Sequence, residues 1–89
     1  MIDKFEYGEP TKIKVDGAYV NGKYTDITGF WIYATYCGET SEGRIKLRLI
    51  NGYILIISDK DLPKLTKKEL EDYTMAILED RDIVQVLEN

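Results

Sequence analysis

Apolar and polar residues alternate most clearly in the middle of the chain. Residues 44–50 (RIKLRLI) place an apolar side chain at every second position, the period of a strand with one buried face. Asn51-Gly52 and the apolar run 53–57 (YILII) follow, and Asn-Gly between two such runs favours a two-residue hairpin turn. Residues 30–37 (FWIYATYC) are rich in aromatic and β-branched side chains and predict a preceding strand. These three segments predict the centre of an antiparallel sheet.

Two further turn signals precede this sheet centre. Asp16-Gly17 and Asn21-Gly22 are dipeptides that readily adopt the positive φ angles of tight hairpin turns. They predict a meander of strands at 11–15, 18–20 and 23–27. Because the middle strand would hold only three residues, the alternative is a bulge at one of the two dipeptides.

The apolar spacing becomes helical after Pro63. Thr66 and Glu69 have the spacing of a capping box, and they predict the start of an amphipathic helix near 66–81. Its apolar stripe consists of Leu70, Tyr73, Ala76 and Ile77. Residues 83–87 (IVQVL) predict a short final strand. The chain is thus expected to form one α+β domain over residues 1–89, with its antiparallel meander either open or closed as a small barrel or sandwich.

A two-residue turn at Asn51-Gly52 assigns the side chains to two faces of the sheet. It places Arg48 opposite Leu55, and the loop at 38–43 places Arg48 opposite Tyr33. One face is then apolar throughout and is expected to receive the helix: Phe30, Ile32, Ala34, Tyr36, Ile45, Leu47, Leu49, Ile54 and Ile56. The other face mixes aromatic, basic and apolar side chains: Trp31, Tyr33, Thr35, Arg44, Lys46, Arg48, Ile50, Tyr53, Leu55 and Ile57.

This mixed face is large for a soluble monomer to leave bare, and three interpretations remain open. The N-terminal meander folds over it, or it binds a protein (a second copy or a foreign partner), or it is a platform for single-stranded nucleic acid. The candidate contact residues are Trp31, Tyr33, Lys46, Arg48, Tyr53 and Leu55. The formal net charge of −4 weighs against nucleic acid, which an acidic protein repels at long range.

Composition limits the setting in which the protein works. With 89 residues, 44% of them hydrophobic, the chain is expected to fold as a globular domain. Its first residues lack the basic and apolar regions of a signal peptide, and no apolar run approaches the length of a membrane span. Cys37 is the only cysteine, which fits a reducing compartment. We therefore expect a cytoplasmic protein without membrane contacts.

Residue types also limit the chemistry. The sequence contains no histidine, which removes imidazole as a general base, nucleophile activator or metal ligand. Cys37 lies at a strand end without an evident activating base. The acidic connector Asp59-Lys60-Asp61 lacks the spacing of a calcium loop. The sequence therefore predicts a protein that is not an enzyme and holds no cofactor or metal.

The charges of the predicted helix run against its dipole. Lys67 and Lys68 lie in the first turn, whereas Glu79, Asp80 and Asp82 lie at or just beyond the last turn. Either solvent screening makes this order inexpensive, or the acidic end contacts a basic partner. The sequence thus favours a small protein-binding or inhibitory module, such as a phage-type inhibitor of a nucleic-acid-binding protein. The alternative is a nucleic-acid-binding domain that uses Trp31, Tyr33, Lys46 and Arg48.

Overall fold

Four antiparallel strands and one C-terminal helix make up the fold. The computed structural model describes residues 5–20, 23–58 and 62–86, and for residues 15–20 and 23–29 it describes only the backbone. The strands are β1 (Pro10–Val20), β2 (Lys23–Glu39), β3 (Ile45–Leu49) and β4 (Ile54–Ile57), and the helix is α1 (Lys67–Glu79). The sheet has the order β1-β2-β3-β4 and is not closed in the described part of the chain. The predicted α+β class is confirmed.

A single long hairpin replaces the predicted N-terminal meander. β1 and β2 pair from Pro10↔Thr35 to Val20↔Lys23, and the register shifts on both sides of Asp16. The Asp16-Gly17 dipeptide therefore lies at a bulge, as the alternative interpretation had it. The predicted turn at Asn21-Gly22 lies outside the described residues. β3 reaches β2 only as far as Ala34, so the far part of this hairpin extends beyond the rest of the sheet.

The turn between β3 and β4 has three residues, and this corrects the predicted register. The Leu49 N–H donates to the Tyr53 carbonyl at 2.8 Å, and the Gly52 N–H donates to the Leu49 carbonyl at 2.9 Å. Gly52 has a φ of 94°, so residues 50–52 form a turn followed by a left-handed glycine. The predicted two-residue turn is wrong. Because the extra residue shifts the pairing by one, Leu55 lies opposite Leu47 and Ile54 lies opposite Arg48. The predicted pairing of Arg48 with Tyr33 is also wrong: Arg48 lies opposite Thr35, and this shift of two residues leaves the two faces of β2 and β3 unchanged.

The buried face of the sheet contains most of the predicted apolar face, with β4 inverted. Leu55 belongs to it, whereas Ile54 and Ile56 are exposed on the opposite side. Phe5, from the N-terminal segment, and Leu62, from the connector before the helix, pack against this face. The other buried members are Ile32, Ala34, Tyr36, Ile45, Leu47 and Leu49.

The helix covers the opposite, mixed face, contrary to the prediction. Thr66 caps it with the predicted capping box: the Glu69 N–H donates to the Thr66 hydroxyl at 3.2 Å, and the Thr66 N–H donates to the Glu69 carboxylate at 3.0 Å. Of the predicted stripe, Ala76 is buried and Tyr73 half-buried, whereas Leu70 and Ile77 are exposed. The helix of the described chain is not long and apolar enough to cross a membrane.

The C-terminal segment docks on the sheet without forming a full strand. Residue Ile83 makes a single antiparallel bridge with Ile32. The Tyr33 N–H donates to the Asp82 carbonyl at 2.9 Å, and the Val84 N–H donates to the Trp31 carbonyl at 3.0 Å. This segment lies beside β2 at the place where β3 has already ended. The predicted final strand is thus reduced to this bridge in the described residues.

Candidate functional site

Tyr33, a predicted contact residue, is fully buried beneath the helix. Its hydroxyl donates to the Asp72 carboxylate, and its ring packs edge-on against Tyr73, with centroids 5.5 Å apart. Burial raises the pKa of the Tyr33 phenol, and the negative charge of Asp72 raises it further. Tyr33 therefore joins the sheet to the helix and is not available to a partner in this arrangement.

Asp72 is the centre of the polar contacts under the helix. Besides the Tyr33 hydroxyl, it accepts hydrogen bonds from the Arg81 guanidinium at 2.7 Å and from the Gln85 N–H at 3.1 Å. Burial alone would raise the pKa of Asp72, but the hydrogen bonds from Arg81 and Tyr33 outweigh it and hold the pKa below its usual value. One carboxylate thereby connects the sheet, the helix and the C-terminal segment.

The predicted acidic helix end does not form one exposed group. Glu79 and Asp80 are exposed, and Asp80 ends the helix with a φ of 53°. Asp82 is half-buried, and one of its carboxylate oxygens is buried with no hydrogen-bond partner within the described residues. Burial raises the pKa of Asp82, and the nearby Asp80 raises it further. The negative charge of Asp82 is thus a cost to the fold.

We expect Asp82→Asn to raise the free energy of unfolding at pH 7 by about 1 kcal/mol, because the neutral amide removes a charge that burial and Asp80 disfavour. The gain should be complete above the raised pKa of Asp82 and vanish well below the unfolded pKa of about 4, where the carboxyl is protonated in both states. Urea unfolding at several pH values measures the free energies of unfolding of the variant and the wild type. Asp80→Asn, at an exposed position, serves as the control. An Asp82→Asn protein less stable than the wild type at pH 7 would contradict the assignment.

Trp31 is separated from the basic residues of β3. It is 42% exposed, lies opposite Lys14 on β1, and has the Lys12 ammonium 5.0 Å from its ring centroid. Between Trp31 and the β3 side of the face lie Tyr33 and Thr35, and the Thr35 hydroxyl is 3.0 Å from the Tyr73 hydroxyl of the helix. The residues predicted as one nucleic-acid platform therefore do not form a continuous surface.

The helix leaves one part of the mixed face open, which we call the outer hairpin face: Lys46 and Arg48 of β3 with Ile54 and Ile56 of β4. Arg48 lies opposite Ile54, and Lys46 lies opposite Ile56, so the four side chains share one face. Ile54 is 44% exposed and Ile56 50%. Neither basic residue forms a salt bridge within the described residues.

The other two predicted contact residues of this hairpin are placed differently. Leu55 is only 4% exposed and belongs to the core, so it is not part of any surface. Tyr53 is exposed and immediately precedes β4. Its N–H donates to the Asn51 side chain at 3.1 Å, which stabilises the turn.

A cleft of about 290 Å³ adjoins the outer hairpin face. The helix supplies one wall through Tyr73 and Ile77, and Arg48 contributes to both the cleft and the outer hairpin face. The remaining lining residues are Thr35, Leu49, Ile50 and Gly52. The lining of the cleft is therefore mixed. Ile50 and Ile77 are its apolar side chains, and Thr35, Tyr73 and Arg48 bring polar groups.

Sequence reasoning missed four residues of this region: Ile54, Ile56, Tyr73 and Ile77. The predicted two-residue turn placed Ile54 and Ile56 in the core. The helical spacing placed Tyr73 and Ile77 in the contact between the helix and the sheet. The glycine of Asn51-Gly52 was the only signal for the alternative turn, because a three-residue turn also ends in a residue with positive φ.

The described residues contain no group of side chains that could bind a metal ion. Over 5–20, 23–58 and 62–86, no three or more of the Cys, Asp and Glu side chains come together as a group that could hold a metal ion. No family model, curated protein or solved structure matches the chain.

Proposed function

We propose that this protein is a non-enzymatic protein-binding module whose contact surface is the outer hairpin face. The observation that carries the proposal is the exposure of Ile54 and Ile56 side by side, next to two basic residues that have no carboxylate partner among the residues described. Adjacent exposed apolar side chains with charged neighbours are typical of interaction surfaces. The lone cysteine and the absence of a membrane-spanning helix in the described chain are compatible with a cytoplasmic setting.

In our proposal, binding of this protein inhibits its protein partner. Glu71, Glu79 and Asp80 are exposed along the helix, and the net charge is −4. An acidic surface suits a basic partner such as a nucleic-acid-binding protein, and opposite charge raises the association rate more than the affinity. A second copy of the chain is the other protein partner open to the outer hairpin face.

Nucleic acid binding is the alternative, and Trp31 is the observation that favours it. An exposed aromatic ring beside Lys14 could stack on a base. The platform is small, however, because Tyr33 is buried and Lys12 is already paired with Glu69. Protein contact therefore has the stronger support.

The test uses a phage-displayed library of random peptides panned against the folded chain. We expect recovered peptides to bind the wild type and to bind Ile56→Gln about tenfold more weakly, the effect of losing about 1.4 kcal/mol at an interface residue. Met75→Gln is the matched control, since Met75 is also 50% exposed but lies on the helix. It should bind like the wild type.

Two results would contradict the proposal. One is a library that yields no peptide able to distinguish Ile56→Gln from Met75→Gln. The other is quenching of the fluorescence of Trp31, the only tryptophan, by oligo(dT), with an affinity that falls steeply with salt. That second result would establish the nucleic-acid alternative. Solution mass before and after Ile56→Gln distinguishes a second copy from a foreign partner.

A further inference from the structure

Arg48 differs from the other cations that contact the packed surfaces of this protein. Lys12 pairs with Glu69, Lys64 with Glu9 at 2.5 Å, and Arg81 with Asp72 at 2.7 Å. Arg48 is exposed at the border of the cleft and has no salt bridge in the described part of the chain. Its guanidinium donors are therefore free to bind an incoming acceptor.

The cleft beside Arg48 provides apolar side chains at the same place. Tyr73 and Ile77 form its helical wall, and Ile50 contributes from the turn that follows β3. Its volume of about 290 Å³ is large enough for one apolar side chain. Apolar side chains and a free guanidinium thus lie side by side.

We infer that the cleft binds an acidic segment of the partner protein, with an apolar side chain in the cleft and a neighbouring carboxylate on Arg48. This inference rests on the proposed function and adds the chemistry of the one partner segment that enters the cleft. The basic surface proposed for the partner would face the exposed carboxylates of the helix, which do not line the cleft. Arginine binds a carboxylate through two parallel N–H···O bonds, which fixes orientation as well as charge. Recognition needs both contacts, the apolar side chain in the cleft and the carboxylate on Arg48, because either contact alone would also accept many other peptides.

Phosphate is the other anion that arginine binds, but the cleft favours a peptide. Among the residues that the structure describes, Arg48 is the only cation that lines it. A nucleic-acid strand carries a charge at every nucleotide and needs several cations along its path. An acidic peptide needs one, and Ile50 and Ile77 suit its neighbouring apolar side chain.

The test compares peptides selected on the wild type with those selected on Arg48→Glu. Wild-type peptides should carry Asp or Glu next to an apolar residue and bind Arg48→Glu at least tenfold more weakly. Arg44→Glu, which changes an exposed arginine of the β2–β3 loop, is the control and should leave binding unchanged. Panning on Arg48→Glu should select Lys or Arg in place of the acidic residue.

The apolar contact has its own matched pair of variants. Ile77→Asp changes the cleft wall and should weaken binding at least tenfold, whereas Leu78→Asp changes a neighbouring helix residue that does not line the cleft. Thermal unfolding confirms that each variant is folded before binding is measured. Equal losses for both helix variants would overturn the role of the cleft.

The outcomes separate this inference from the proposed function. Peptides that depend on Ile56 but carry no acidic residue and bind Arg48→Glu normally would overturn the inference and leave the proposed function intact. A library that yields no peptide sensitive to Ile56→Gln, Arg48→Glu or Ile77→Asp would overturn both. Competition by oligo(dT) for the same peptides, lost in Arg48→Glu, would assign the site to phosphate instead.

Discussion

Replacing Leu55 by lysine is expected to unfold the domain. Leu55 is 4% exposed and lies opposite Leu47 in the core. The substitution removes a packed leucine, which costs about 2–5 kcal/mol, and buries an ammonium group without a partner, which costs several kcal/mol more. Domains are stable by only about 5–15 kcal/mol in total, and one of this size by less than most. Far-ultraviolet circular dichroism should show that the Leu55→Lys protein has lost its secondary structure and unfolds without a cooperative thermal transition.

Ile56→Lys, one position along the same strand, is the matched control. The Ile56 side chain lies on the outer hairpin face, where a lysine remains in solvent. Its cost is limited to a like-charge contact with Lys46 on the neighbouring strand, about 0.2–1 kcal/mol. The protein should therefore stay folded. The reverse outcome, with Ile56→Lys unfolded and Leu55→Lys folded, would mean that the two-residue turn and its register are correct.

The local elements of this fold follow from the sequence, because their causes are local. The alternation in 44–50 predicted β3, and the apolar run after it predicted β4. Thr66 and Glu69 predicted the capping box that starts the helix. Each of these depends on residues within a few positions of one another.

The face assignment of β4 failed because one residue in a turn decides it. Asn51-Gly52 is compatible with a two-residue turn and with a three-residue turn that ends in a positive-φ glycine. The hydrogen bonds at Leu49 distinguish the two, and they form only when the strands pair. A difference of one residue then inverts every side chain of β4, and this moved Leu55 from the candidate site to the core.

The position of the helix failed for a different reason. Its apolar stripe suggested contact with the apolar face, but side-chain hydrogen bonds join it to β2 on the mixed face. They link Tyr33 to Asp72 and Thr35 to Tyr73, pairs separated by 39 and 38 residues. No periodicity in the sequence reports such long-range hydrogen bonds. The candidate site consequently moved from the centre of the mixed face to the part that the helix leaves open.

We expect Asp72→Asn to lower the free energy of unfolding by about 3 kcal/mol at pH 7. The aspartate accepts from Tyr33, Arg81 and the Gln85 N–H, and hydrogen bonds to a charged group contribute about 1.5–3 kcal/mol each when measured singly. An asparagine amide keeps the shape, but it replaces one acceptor oxygen with an N–H₂ group. It also leaves the largely buried Arg81 with only the exposed Glu79 carboxylate, 3.9 Å away, as a counter-charge. Urea unfolding measures the loss, and hydrogen exchange at Gln85 should become faster. Glu71→Gln, at the adjacent exposed position, should stay within about 0.5 kcal/mol of the wild type.

The pH dependence of this loss distinguishes the charge of Asp72 from its shape. Because the folded-state pKa is lowered, the carboxylate stabilises the fold fully above the unfolded pKa of about 4. That stabilisation disappears as pH falls through the lower folded pKa, so Asp72→Asn and wild type should converge in acid. Asp82→Asn should converge with wild type in acid too, but from the opposite side, since its pKa is raised. A loss at Asp72 that stayed constant down to pH 2 would mean that packing of the side chain, rather than its ion pair with Arg81, holds the C-terminal segment in place.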